Sequence, residues 1–157
     1  MWKRIAAILL LLFLLPLLAC GKPQNTANAN HRIWLDYELH TEDDVYEVLY
    51  QWCIDGEPID DHGLSFADHS KLPETLADFV QYKTDPEGND YDYSKFGIRL
   101  YLRNEPVSDA KNKPILDGAV PVEPMLTFAA EFDRHYAIRI EGSREQGYTA
   151  TFLGERK

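Results

Sequence analysis

Over residues 33–40 the chain alternates without a break: Ile33, Leu35, Tyr37 and Leu39 fall on one face, Trp34, Asp36, Glu38 and His40 on the other. A period of two sustained this long is the pattern of a strand buried on one side. The same pattern returns at 96–103, where Phe96, Ile98, Leu100 and Leu102 alternate with Gly97, Arg99, Tyr101 and Arg103. In 45–54, Tyr46, Val48, Tyr50, Trp52 and Ile54 share a face, and Glu47, Leu49, Gln51 and Cys53 share the other. The acidic break at 41–44 makes a hairpin between 33–40 and 45–54 the simplest pairing. Residues 72–83 fit either a helical stripe (Leu72, Leu76, Phe79, Val80) or a late strand, and a turn of helix leading into a strand is expected. Strands also fit 115–122, 125–132, 134–141 and 148–153, the last two joined by a loop bounded by Gly142 and Gly147. Pro121 and Pro124 cannot donate to a ladder and so confine 115–122 to an edge. No helical pattern is long enough for a parallel crossover. The expected fold is all-β, an antiparallel β-sandwich of about seven or eight strands with at most one short helix, immunoglobulin-like topology being one option.

The N-terminal residues belong to a different regime. Lys3 and Arg4 precede the apolar run 5–19, interrupted only by Pro16. As a helix this run reaches roughly 22 Å, short of the ~30 Å hydrocarbon core, so it reads as the hydrophobic region of an export signal. Without residues 1–19 the chain keeps 138 residues and a net charge of −12. Seventeen of its 19 aromatic residues stay in that remainder, which excludes disorder over the whole chain. An acidic surface of this strength repels phosphate and argues against nucleic acid as a partner.

Leu17-Leu18-Ala19-Cys20-Gly21 ends the run. With the basic start and apolar stretch before it, this resembles the lipobox of bacterial lipoproteins. The resemblance implies cleavage before Cys20, a diacylglycerol on its thiol, and anchoring to membrane lipid through that residue. Gly21 after the cysteine resembles the pattern for forwarding to the outer membrane, with the folded part facing the periplasm. Residues 1–19 are then a signal peptide, 20–32 the lipidated cysteine and a tether, and 33–157 the β domain. The tether, GKPQNTANANHR, is polar and small, about 20 Å long as a coil and up to roughly 40 Å stretched. Cys53, on a largely apolar strand, is left without a partner in the mature chain and reads as a small buried hydrophobe.

Few residues point to chemistry. Asp60, Asp61 and His62 lie close to Asp68 and His69, but without the spacing of a metal motif, and a solvated loop is the simpler reading. Residues 85–92 resemble a calcium loop only superficially, because Pro86 intrudes and Gly88 stands fourth rather than sixth. No nucleophile elbow or phosphate-binding glycine loop is present. The expectation is a protein without catalytic activity, metal or cofactor. Two surfaces could hold a protein partner. One is the basic and aromatic stripe Arg99, Tyr101 and Arg103, with Arg139 on a later strand. The other is the acidic loops around the second strand, with Asp43, Asp44, Asp60 and Asp61 placed to steer a basic partner.

The size, tether, acidic balance and late tyrosine-bearing strand pair resemble small periplasmic immunity lipoproteins of type VI secretion systems. The resemblance implies a plug over the active site of a secreted effector toxin, and it assigns no individual residue. An envelope-assembly or ligand-binding lipoprotein of the outer membrane is the alternative.

Overall fold

The computed structural model describes residues 31–59, 63–64, 70–106 and 116–157. Residues 1–30, with Cys20, lie outside the described residues, as do Asp60, Asp61, His62, Asp68 and His69. Among the described residues nine strands follow in chain order: β1 Ile33–Thr41, β2 Glu47–Ile54, β3 Glu57–Pro58, β4 Gly63–Leu64, β5 Thr75–Val80, β6 Phe96–Arg103, β7 Val120–Phe128, β8 Arg134–Ser143 and β9 Gly147–Arg156. They form one sheet in the order β3-β2-β6-β7-β9-β8-β1-β5, with β4 also paired to β2, and the sheet curls into a half-barrel.

The all-β reading stands, but the antiparallel sandwich, its immunoglobulin-like variant included, gives way to one mixed sheet. β1 runs parallel to β8 along its whole length, from Ile33 beside Arg134 to Thr41 beside Gly142, and β7 runs parallel to β9 at Val122 and Glu123. Parallel neighbours do not need a helical crossover when the chain between them builds other strands of the sheet, as β2 to β7 do between β1 and β8. The 33–40/45–54 hairpin does not form. β1 pairs with β5 and β8, whereas β2 pairs with β6, β3 and β4. The acidic link is held to other elements: the Glu42 amide donates to Gly142 O at 2.9 Å and the Tyr46 amide to Arg103 O at 2.8 Å.

Two further expectations change. The described residues contain no α-helix at 72–83; β5 occupies that region and pairs antiparallel with β1. Residues 115–122 and 125–132 are not two strands with an edge position. β7 is one strand lying between β6 and β9, and it contains both Pro121 and Pro124. The prolines are tolerated because the β6 register shifts between Ile98 and Leu100, opposite 122–126, and the β9 pairing is confined to two residues. The β8–β9 hairpin forms where the glycines place it.

Burial follows the alternation closely. Ile33, Leu35, Tyr37 and Leu39 of β1, Phe96, Ile98, Leu100 and Leu102 of β6, and Tyr136, Ile138 and Ile140 of β8 meet in one core inside the curl. Rings fill its lower end: Phe128 stacks on Phe152 at 4.2 Å and meets Phe96 edge-on at 5.4 Å, while Trp52 stacks on Tyr50 at 4.0 Å. The Tyr37 hydroxyl is buried without a hydrogen-bond partner, and that burial pushes its phenol well above the ordinary value. β2 is buried on both faces, so Leu49 and Cys53 are sealed as well.

Candidate partner-binding surface

At the Thr41 end of β1 the chain leaves the sheet, passes 42–46 and meets the segment before β5. Two backbone bonds fix this corner, from the Leu72 amide to Val45 O and from the Leu39 amide to Glu74 O, both 2.7 Å. Between them opens a groove of about 300 Å³. Leu39, Val45, Leu72 and Pro73 supply its apolar lining, and His40, Thr41, Asp43, Lys71 and Glu74 its polar groups. Lys71 Nζ sits 2.5 Å from Asp44 Oδ1, and that hydrogen bond raises the ammonium above the ordinary lysine value.

The two aspartates of the loop have different tasks. Asp43 is a clasp: its Oδ2 accepts from the Arg144 amide at 2.6 Å and from the Tyr148 hydroxyl at 3.1 Å. Asn104 Nδ2 donates to the same hydroxyl at 2.7 Å and to Asp44 O at 2.9 Å. Burial pushes the Tyr148 phenol up to about 12, the Asp43 carboxylate adding to the effect. Asp44, by contrast, has its carboxylate on a half-exposed surface pair with Lys71. Asp55 and Glu57 lie at the opposite end of β2 from Asp43 and Asp44, and Asp55 pairs there with Lys95 at 2.7 Å.

The basic stripe is engaged within the fold. Arg103 forms an ion pair with Glu47 across the β2–β6 ladder and donates to Asp117 O at 3.1 Å. Arg99 donates to Gln51 Oε1 and to Gly56 O, each at 3.0 Å. Tyr101 lies opposite Leu49 and beside Pro121, at the margin of a shallow hollow of about 150 Å³ that Arg99 also lines. Arg99 and Arg103 thus bridge β6 to β2, to the Gly56 turn and to the segment before β7. Arg139 is spent on Glu38, 3.0 Å away. In the 85–92 turn, Asp85 accepts from the Asn89 amide and side chain at 2.8 and 2.9 Å, and Asp92 caps the 3-10 turn Tyr93–Lys95. Among the described residues no group of three or more His, Cys, Asp and Glu is arranged to hold a metal ion.

A charged ladder on the outer face of β1, β8 and β9 was missed in the sequence. Asp36 and Glu38 stand in its centre, with Arg139 and Arg156 on Glu38 and the His135 ring 3.3 Å from Asp36. His135 also stacks on Trp34 at 5.4 Å, and the Arg32 guanidinium lies over the Phe79 ring at 3.9 Å. The outward residues of β1 were visible, but their partners depend on the parallel register with β8. Hydrogen bonding from Arg139 holds the Glu38 carboxyl below its ordinary 4.5. A lowered native value means that Glu38 stabilises the fold above that ordinary pH and ceases to as the pH falls through the native value. Glu38→Gln is therefore expected to flatten the acid limb of stability against pH, read by urea unfolding between about pH 6 and pH 3. An unchanged slope would remove Glu38 from the acid response.

No family model and no curated protein matches the chain. Similar solved structures include one described as "Trapped Toxin", with 12% identity and a TM-score of 0.34 over 80% of this chain. Another is the crystal structure of listeriolysin O, with 12% identity and a TM-score of 0.32 over 80% of this chain. The chain spans 24% and 23% of their respective lengths.

Proposed function

We propose that this is a lipid-anchored envelope protein, held through Cys20 on the periplasmic face of the outer membrane, that acts without catalysis by binding another protein. The anchor reading rests on Leu17-Leu18-Ala19-Cys20 after a basic start and an apolar run. Two or three acyl chains make such an anchor effectively permanent, since each buried CH₂ contributes ~0.8 kcal/mol. The binding reading is carried by the groove at the Thr41 end of β1. It lies about 26 Å along the strand from the point where the tether enters, so an anchored domain has a recognition surface remote from its attachment. A secreted effector toxin is the partner class that the likeness to immunity lipoproteins implies, and the acidic balance suits a basic one.

Cys20→Ser is the test of the anchor. The variant is expected to stay unprocessed or to leave the membrane fraction, while the parent chain sediments with outer-membrane lipid. A cleaved Cys20→Ser chain that still fractionates with lipid would refute the reading.

A further inference from the structure

We propose that the domain seats on the phospholipid surface that anchors it, through an aromatic and basic rim at the Ile33 end of β1. This deepens the lipid-anchor reading and rests on it. The chain is fixed to the sheet as soon as it arrives: the Asp133 amide donates to Arg32 O at 2.6 Å, and His31 Nδ1 lies 2.5 Å from Asp133 Oδ2. From Cys20 to Asn30 only eleven residues remain, about 20 Å as a coil and roughly 40 Å at full stretch. The rim where they end is the part of the domain held nearest the bilayer, at an effective concentration that lets a weak interfacial affinity keep it there.

The rim carries both chemistries of a bilayer interface. Trp34 meets Phe79 edge-on at 5.5 Å and stacks on His135, and the Arg32 guanidinium lies over the Trp34 and Phe79 rings. These rings share the outer face, since Phe79 and His135 are the register partners of Trp34 on β5 and β8. Two residues beyond Val80, itself opposite Ile33, Tyr82 is 51% exposed, and its carbonyl accepts from the Tyr93 hydroxyl. Tryptophan and tyrosine concentrate where hydrocarbon gives way to headgroups, because each joins an apolar ring to a polar tip. Charge points the same way. Arg32, Lys83 and Lys157 form no ion pair among the described residues, and all three stand at this end, Lys157 directly after the Arg156 that faces His135. Arg32 Nε is covered and has no hydrogen-bond partner. Asp36, Asp133 and Glu155 on the same rim are already engaged, by His135 and Arg156, by His31 and by Arg134. Phosphate, which every phospholipid headgroup presents at the surface, is the anion within the tether's reach. Such seating turns the Thr41 end of β1, with its groove, away from the membrane.

Tryptophan fluorescence reads the contact directly. The lipidated chain is reconstituted in vesicles of phosphatidylethanolamine and phosphatidylcholine, and in a second set whose phosphatidylcholine is brominated near the top of its acyl chains. Cleavage before Cys20 leaves Trp34 and Trp52, and Trp52 is 1% exposed in the core. The emission lost in Trp34→Phe is thus that of the rim. An interfacial apolar face lies about 5–10 Å into the headgroup and acyl boundary, so bromine is expected to dim Trp34 about twofold, while the Trp34→Phe chain is unaffected. Replacing two exposed residues together, Tyr82→Ser with Lys83→Ser, should cut that quenching about twofold and leave Trp52 emission unchanged. Equal quenching in this double variant overturns the assignment to the rim. Flotation separates the two claims. A chain that floats with the vesicles yet keeps full Trp34 emission overturns the seating and leaves the anchor standing, and a chain that does not float overturns both. Trp34 that escapes bromine but is shielded from aqueous iodide has a second copy or another protein on the rim, which also overturns the seating.

Discussion

Glu47→Ala is expected to cost about 3–5 kcal/mol of stability, more than any surface substitution in the chain. Glu47 is 5% exposed and the Arg103 side chain 12%, on the outer face of the sheet but covered from water. Desolvating both groups has already consumed most of what their attraction returns, so the pair adds little over two apolar residues of the same size. Removing one member is different, because the Arg103 guanidinium then loses its Glu47 bond at a site covered from water. Its bond to Asp117 O satisfies one donor and does not balance the charge. Urea and thermal unfolding should show a midpoint lower by on the order of 10 °C. The double variant Glu47→Leu, Arg103→Met should recover most of the loss. A single-variant cost below about 1 kcal/mol would mean that the pair behaves as a solvated bridge.

Gly142→Ala should be the second large effect, at about 2–4 kcal/mol. Gly142 has a φ of 111°, and a Cβ built on it would stand 2.3 Å from the Gly147 carbonyl oxygen. The contact is with backbone on the other arm of the β8–β9 hairpin, so no side-chain rotation relieves it. Gly147 supplies the control. Its φ is 93°, but the space where its Cβ would go is open, so Gly147→Ala carries only the backbone penalty of about 1–2 kcal/mol. The order of the two variants, rather than either value alone, identifies the clash. The damage should spread to the groove, since Gly142 O holds the Glu42 amide and the Arg144 amide holds Asp43. Equal costs at the two glycines would contradict this account of the hairpin.

The core was legible because it obeys a local rule. The inward residues of β1, β6 and β8 are those that the period of two selects, and Gly142 and Gly147 marked the hairpin where it forms. What the sequence did not disclose is non-local. Nothing around Ile33 says that its neighbour is Arg134, and the parallel join of β1 to β8 overturned both the hairpin and the antiparallel sandwich. Prolines were read as edge residues, yet β7 carries two in the middle of the sheet by shifting register against β6. The candidate site followed the same division. Asp43 and Asp44 were found by composition, but their separate roles as clasp and as Lys71 partner depend on Tyr148, Arg144 and Lys71, far away in the chain or across a loop. Arg99, Tyr101 and Arg103 looked like an exposed stripe until the β2 register gave Arg99 and Arg103 partners and set Tyr101 opposite Leu49.

Whether Cys20 holds this domain to the envelope is decided by the intact mass of the chain extracted from membranes. The predicted result is a protein that begins at Cys20, has lost residues 1–19 and carries the added mass of a diacylglyceryl group with or without a third acyl chain. A chain that keeps Met1, or one that begins at Cys20 without lipid, would contradict it.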